Sequence, residues 1–388
     1  MKIAVIGAKG VPPKQGGIEH YCAALYPRIV TEGHSVDLYA RSSYTDLPWY
    51  TDYDFEGVRV ISLPSLNLRG IDAFITAAIG AIQASKTTYD IVHFHALGPS
   101  LFTGLPGLAT ESKIVVTCQG LDWQRSKWGG FSSRLILLGE RAAARYAHEI
   151  VVVSKDLKQY FRKIYGREAV YLPNAPAQYV ASDPAFTYGK SLGLTPDRYL
   201  LFLGRLVPEK CPDLLLEAFA RLTTDWKLVF VGGSSDTTGF TTDLFNRGAE
   251  ISNVIFTGEL RGKRLAEIVR GAGLFVLPSN LEGLPLAMLE AMQEGIPIVA
   301  SNIPPHEQLL GQGRGLLFQA GDVDSCVQAL RTAIADPNQR RLMAEQAEVH
   351  VRRYYNWDYI TAQTLQLYRF LCNSASPEVL TPKRALVS

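Results

Sequence analysis

Two glutamates and two basic side chains carry the chemistry most readily read from this sequence. Glu282 and Glu290 stand in GLFVLPSNLEGLPLAMLEAMQEG (Gly273 to Gly295), and Arg205 and Lys210 stand in GRLVPEKCPDLLLEAF. Carboxylates accept hydrogen bonds from hydroxyls, whereas a guanidinium and an ammonium neutralise an anion. An elongated anion that also bears hydroxyls would use both pairs. The spacing alone is a weak signal. Over a continuous helix the glutamates would lie about 12 Å apart, and two solvent-facing glutamates on an ordinary surface helix meet that pattern more often. A surface pair of cations fits Arg205 and Lys210 as well as an anion site does.

The surrounding elements give these residues a common place. Leu274 to Leu277 is an apolar run too short for a helix, so it reads as a core strand. Pro278 to Pro285 has the composition of a loop, and LAMLEAMQ from Leu286 reads as a helix ending at Gly295. Such a junction aims free backbone N–H groups and the positive end of the helix dipole into whatever crevice lies above the strand. Tyr199 to Leu203 (YLLFL) predicts another strand, after which Arg205 and Lys210 precede a helix.

At the N-terminus KIAVIG predicts a buried strand, followed by GAKGVPPKQGGIEHY. Gly16 and Gly17 would let backbone approach a phosphate closely, although an open surface loop fits the spacing equally. The glycines at Gly7, Gly10, Gly16 and Gly17 do not form G-x-G-x-x-G, and VDLYARS lacks the acid that would end a second strand. A nicotinamide cofactor is therefore poorly supported.

YDIVHFHALGPSL predicts a further strand with His93 and His95 on one face. No third ligand has convincing spacing, so His95, at the strand's end, is expected to contact substrate, and His93 to be structural. In QGLDWQRSKWGGFSS, Asp122, Trp123 and Arg125 combine charge and aromatic surface. They could bind a glycan by stacking and hydrogen bonding, or clamp a long loop to the body of its domain. Residues 43–56 read as an irregular connection or an acceptor-lining segment.

The longer string PSNLEGLPLAMLEAMQEGIPIVAS resembles the nucleotide-sugar-binding segment of retaining glycosyltransferases of family four. That resemblance implies a GT-B fold: α/β, with two Rossmann-like domains facing across a cleft. It also implies that Glu290 holds the donor ribose, that Glu282 lies near the donor sugar, and that His95 faces the transferred sugar. GRLVPEKCPDLLLEAF resembles the family's GRL-x-x-EKG segment, which implies that Arg205 and Lys210 contact the donor diphosphate; Cys211 replaces the usual glycine. GAKGVPPKQGGIEHY looks like the GTRGIPAxYGGFE type of bacterial polysaccharide-assembly enzymes, including rhamnosyltransferases. It implies that Gly16 and Gly17 face the donor phosphates, with amides near Leu284 assisting from the other wall. LDWQR resembles HGLDWQR-x-KW of the same subgroup, implying an acceptor-side role for Asp122, Trp123 and Arg125, but Cys118 and Gln119 replace the usual Val-His. LPNAP resembles the interdomain IPNG turn around Asn174, with Ala175 for glycine.

The reaction so implied moves a sugar from a nucleotide-diphosphate sugar to a saccharide or lipid-linked glycan acceptor. The nucleotide sugar is a cosubstrate, and no cofactor or metal is expected. A GT-B epimerase would need a proton-transfer pair at the sugar, and a phosphorylase a pyridoxal phosphate lysine. A noncatalytic nucleotide-sugar or polysaccharide-binding protein would bind without transfer.

Size and charge are compatible with this reading. A chain of 388 residues, 47% hydrophobic, is long enough for two domains. The expected division is 1–180 for the acceptor side, 192–355 for the donor side, 356–372 for a helix crossing back to the first domain, and 373–388 for a flexible tail. With 39 basic and 37 acidic residues the formal charge is +2, which gives no global case for nucleic acid. The 5 cysteines are scattered without a C-x2-C pair, against structural zinc and a disulfide framework. The N-terminus enters a strand at once, so no secretion signal is expected. Ile71 to Ser85 is too short to span a bilayer. A cytoplasmic location follows; the basic group Lys155, Lys158, Arg162, Lys163 and Arg167 reads first as a solvated helix face, with attraction to an anionic membrane or diphospholipid acceptor, and so peripheral membrane contact, as the alternative.

Overall fold

A computed structural model of the chain describes residues 1–14, 16–65, 72–121, 123, 130–233 and 238–373. Its strands fall into an 8-stranded sheet and a 6-stranded sheet. The first comprises β1 (Lys2–Ile6), β2 (Ser35–Arg41), β3 (Asp52–Phe55), β4 (Val58–Leu63), β5 (Ile91–His95), β6 (Lys113–Cys118), β7 (Glu149–Val152) and β8 (Val170–Tyr171). The second comprises β9 (Tyr199–Leu203), β10 (Lys227–Val231), β11 (Val254–Gly258), β12 (Leu274–Leu277), β13 (Ile298–Ser301) and β14 (Leu316–Phe318). All pairings are parallel except β3 with β4. Helices cover both faces, which is why β5, β12 and β13 are uninterrupted apolar runs or fully buried. The architecture is the GT-B arrangement: two Rossmann-like domains facing across a cleft.

The strand orders locate the cleft. They run β3-β4-β2-β1-β5-β6-β7-β8 and β11-β10-β9-β12-β13-β14. In the first sheet the order reverses between β1 and β5, and in the second between β9 and β12. Ligands of open α/β sheets sit beyond the carboxyl ends of strands at such switch points. The loops there begin at Gly7, Ala96, Gly204 and Pro278, and they include the glycine loop, Arg205, Lys210 and Glu282.

The segment 43–56 is more regular than its composition suggests. It holds a short helix at Ser42–Thr45, then β3, which pairs antiparallel with β4 through the two-residue turn Glu56-Gly57, both at positive φ. DYDF and VRV flanking Glu-Gly carry this hairpin signal, with the Gly57 amide donating to Asp54 Oδ1 at 3.2 Å. The short apolar segment before Ser85 is helical over Asp72–Ser85 in the described residues, and a longer helix covers Gly130–Tyr146.

The helix Trp357–Asn373 packs on Gly17–Thr31 of the first sheet's layer. Trp357 meets the ring of Tyr21 at 5.5 Å, and Ile360, Leu365, Tyr368 and Leu371 join the core of Ile3, Val5 and Leu25. Residues 374–388, where the tail was expected, lie outside the described residues. Among the described residues no helix is long and apolar enough to cross a membrane.

Candidate functional site

Residues far apart in sequence meet at the cleft. A small cavity is lined by Gly120 and Leu121 after β6, by Arg205, Glu209 and Lys210 after β9, and by Leu281, Glu282 and Gly283 after β12. The walls touch closely: a Cβ at Gly283 would lie 2.0 Å from the Gln119 carbonyl oxygen, so any side chain there would drive the domains apart.

Lys210 ends the single turn Pro208–Lys210, and the chain reverses at Cys211 with φ 48° and ψ 44° before the helix Pro212–Ala220. This is the left-handed region, so the position where the resemblance expects glycine is one where a side chain is strained. The reversal turns Lys210 back over the strand end, where its ammonium donates to Glu282 Oε1 at 2.6 Å. Both side chains are largely buried, 15% and 12% exposed. Ser279 Oγ donates to the same oxygen at 2.8 Å. Burial raises the Glu282 carboxyl, but Lys210 outweighs it, with help from His306 and Ser279, and holds it below its ordinary range. The result is an ionised buried pair beside Arg205.

Across the cleft stands the glycine loop. A Cβ at Gly17 would lie 3.6 Å from Leu286 Cδ1, so this loop faces the start of the helix Leu286–Gln293. Gly16 has φ 102°, and a Cβ there would lie 2.1 Å from Glu19 Oε2. Glu19 folds back from the helix to accept the Lys9 amide at 2.9 Å, bracing the loop. Arg261, beyond β11, donates to the Lys14 carbonyl at 2.8 Å and bridges the two walls. Leu284 is nearly buried at 9% exposure, one residue before the Pro285 cap of the Leu286–Gln293 helix.

Glu290 lies on that helix and accepts a hydrogen bond from Tyr179 at 2.6 Å. Burial pushes its carboxyl up to about 7, with Tyr179 and the Ala177 amide opposing the rise and Glu294 adding to it.

His95 differs from expectation. Alternation along β5 sends Ile91, His93 and His95 toward the Gly17–Thr31 and Trp357–Asn373 helices, and Val92 and Phe94 to the other face. The His95 side chain is therefore fully buried rather than over the cleft, with Nε2 at 2.6 Å from the Tyr26 hydroxyl. Its Nδ1 is buried with no hydrogen-bond partner. His93 meets Tyr368 at 2.6 Å and Thr117 at 2.7 Å, as befits a structural residue. The two rings stack at 4.3 Å, and burial lowers the His95 pKa to about 3. Two neutral imidazoles tolerate that stacking. Among the described residues no group of three or more His, Cys, Asp or Glu is placed to hold a metal ion.

Of the acceptor-side residues, Asp122 and Arg125 lie outside the described residues. Trp123 uses its indole N–H to donate to Glu140 at 2.9 Å, the clamping contact that the sequence left open beside glycan stacking. Glu140 is buried and also accepts from Tyr160 at 2.7 Å and Tyr165 at 2.6 Å. Gln119 accepts from Asn174 Nδ2 at 2.7 Å. Tyr179, Glu140 and Arg261 were not singled out from sequence. Only their contacts mark them, and those join residues 17 to 247 positions apart.

Residues 16–175 match the glycosyl transferase 4-like domain, and residues 188–350 match the glycosyl transferases group 1 family. The chain is a GT-B protein related to these glycosyltransferases. It is 25% identical over 402 residues to an uncharacterized glycosyltransferase of Methanocaldococcus jannaschii, covering 95% of this chain and 98% of that one. It is 26% identical over 387 residues to a D-inositol 3-phosphate glycosyltransferase of Gordonia bronchialis, covering 91% and 83%. Among solved structures, a sucrose-phosphate synthase from Thermosynechococcus elongatus aligns with TM-score 0.81 at 22% identity, over 95% of this chain and 98% of that chain. Anabaena HepE in complex with UDP-glucose aligns with TM-score 0.78 at 17% identity, over 95% and 99%. These structural likenesses establish the fold.

Proposed function

We propose that this glycosyltransferase relative moves a sugar from a nucleotide-diphosphate sugar to a saccharide or lipid-linked glycan acceptor, with retention at the anomeric carbon. The observation that carries the reading is the Lys210–Glu282 pair at 2.6 Å, buried beside Arg205 at the switch point of the second sheet. The solved complex of Anabaena HepE with UDP-glucose supports a donor of this class. Residues 192–355 carry the donor, residues 1–180 face the acceptor, and residues 356–372 brace the two.

Arg205 and Lys210 neutralise charge that grows on the leaving diphosphate, and amides near Gly16, Gly17 and Leu284 add fixed dipoles from both walls. The acceptor hydroxyl attacks from the face that the diphosphate leaves. The departing phosphate oxygen takes the acceptor proton, so no side chain serves as a nucleophile. Glu282 accepts hydrogen bonds from sugar hydroxyls and keeps Lys210 aimed until the diphosphate takes over its charge. Glu290 accepts from the ribose hydroxyls. His95 supports the strand end from within the core. The subgroup resemblance favours polysaccharide assembly at the cytoplasmic face of a membrane, with rhamnose among the candidate sugars.

The test is a screen of nucleotide sugars against lipid-linked and soluble acceptors, read by mass spectrometry of products and by the anomeric configuration of the new bond. Transfer with retention is expected. Donor binding with neither transfer nor donor hydrolysis across the panel would identify a binding protein instead, and an inverted product would overturn the proposed attack geometry.

A further inference from the structure

The segment that joins the two sheets is tied to the proposed ribose site. Tyr179 donates its hydroxyl to Glu290 Oε2 at 2.6 Å, and the Ala177 amide also favours the ionised form of that carboxylate. Gln293, one turn further along the same helix, donates to the Ala177 carbonyl at 3.3 Å. Arg270, which ends the Gly262–Arg270 helix, donates to the Val180 carbonyl at 2.8 Å and the Tyr179 carbonyl at 3.3 Å while pairing with Glu294 at 2.7 Å. Tyr179 is thus held on its backbone side and meets Glu290 with its hydroxyl.

We infer that Tyr179 is a positioning residue for the nucleotide: by fixing one oxygen of Glu290 it sets the carboxylate's rotation and leaves the other oxygen to accept from the ribose. This rests on the reading of Glu290 as the ribose-holding residue. Two physical points support it. A carboxylate oxygen has lone pairs to spare, so a phenol on Oε2 leaves Oε1 its full accepting capacity. A hydrogen bond donated to a carboxylate also favours its ionised form, the better acceptor.

The charges around Glu290 make this donor consequential. Burial drives the carboxyl up to about 7; Tyr179 and the Ala177 amide act against it, and Glu294 acts with it. Arg270 faces the cluster from the neighbouring helix but is engaged with Glu294 and the linker carbonyls. Burial, then the charge of Glu290, pushes the Tyr179 hydroxyl well above its ordinary value, so it remains a donor throughout the range in which Glu290 titrates. Removing it moves Glu290 toward the neutral form at a given pH.

Calorimetric titration of UDP, ADP and GDP into the full chain, its Tyr179→Phe variant and its Glu290→Gln variant, from pH 6 to 9, tests the inference. For whichever nucleotide binds tightest, Tyr179→Phe should weaken binding about tenfold at pH 7 and converge on the parent toward pH 9. Its acid-side loss of affinity should set in about one pH unit higher. Glu290→Gln should bind weakly with no such limb. A Tyr179→Phe profile that overlays the parent, or tighter binding in that variant, would overturn the role of Tyr179 even where Glu290→Gln is weak. Unchanged affinity in Glu290→Gln would remove the ribose reading itself, and the inference with it.

Discussion

The two sheets reverse their strand order in the same way, yet they furnish their switch points with opposite chemistry. Above β9 and β12 the loops bring Arg205, Lys210 and Glu282 together, an ionised cluster beneath a cleft. Beside β1 and β5 the titratable residues His93 and His95 turn into the core, stacked and bonded to Tyr26, Tyr368 and Thr117. Among the described residues, what the first sheet offers the cleft is chiefly backbone, from the loops that hold Gly16, Gly17 and Gly120. One topology thus yields a wall of charged side chains and a wall of amides and carbonyls. The difference follows from register: an even step along β5 buries its histidines, whereas Lys210 and Glu282 stand on loops that alternation does not govern.

The largest effect that separates the walls is expected at Lys210. Lys210→Ala should reduce turnover about a thousandfold, the scale of losing a charged donor aimed at a leaving group. It also leaves Glu282 buried without its cation, which costs stability. Combining it with Glu282→Gln should recover the melting temperature but not the turnover. Near-normal turnover in Lys210→Ala would place the anion site elsewhere.

At His95 the expected loss is in stability. His95→Ala removes a fully buried ring and should lower unfolding free energy by about 3 kcal/mol, with turnover per folded molecule kept within about twofold. Denaturant unfolding and active-site titration on one sample separate the two. A stable variant with collapsed turnover would return His95 to the cleft and erase the contrast between the walls.

The pH dependence of stability sharpens the contrast within the charged wall. Glu282 is held below its ordinary range, so its contribution is present above about 4.3, the unfolded value, and is lost as pH falls through the lower folded value. Glu290 has the opposite sign. Its carboxyl is pushed up to about 7, so its contribution is complete only below the unfolded value and is lost as pH rises through about 7. Between about pH 5 and pH 8 the parent should lose on the order of 2 kcal/mol that Glu290→Gln does not lose. Parallel melting curves for the two proteins across that range would show that Glu290 is not strained by burial.

Much of this organisation was legible in the sequence because its signals are local. YLLFL, LFVL and KIAVI are apolar runs that only a sheet covered on both faces uses, and the loops after them carry their own motifs. Strand β3 was missed although DYDF-EG-VRV carries the alternation and the turn, because tyrosines and aspartates in the segment suggested an irregular loop. The burial of His95 was not legible for a different reason. Its position at a strand's end is a one-dimensional fact, while its direction depends on which helices cover that face. Tyr179, in a stretch of Pro, Ala and small polar residues, gave no signal, since its partner lies 111 residues away.

Cys211 offers the smallest effect and the cleanest comparison. Its φ of 48° and ψ of 44° create the reversal that aims Lys210, a geometry glycine adopts freely and L-residues adopt at a cost of about 1 kcal/mol. The thiol is buried and donates to the Pro208 carbonyl at 3.3 Å, so replacing it with glycine loses packing while relieving strain. Replacing it with alanine loses the same thiol and keeps the strain. The difference between Cys211→Gly and Cys211→Ala therefore isolates the backbone term, and glycine should be the more stable by about 1 kcal/mol. Both should retain turnover, because either residue can hold the turn. Equal stability of the two variants would mean that the reversal is not strained and that the Lys210 wall is set by side-chain contacts alone.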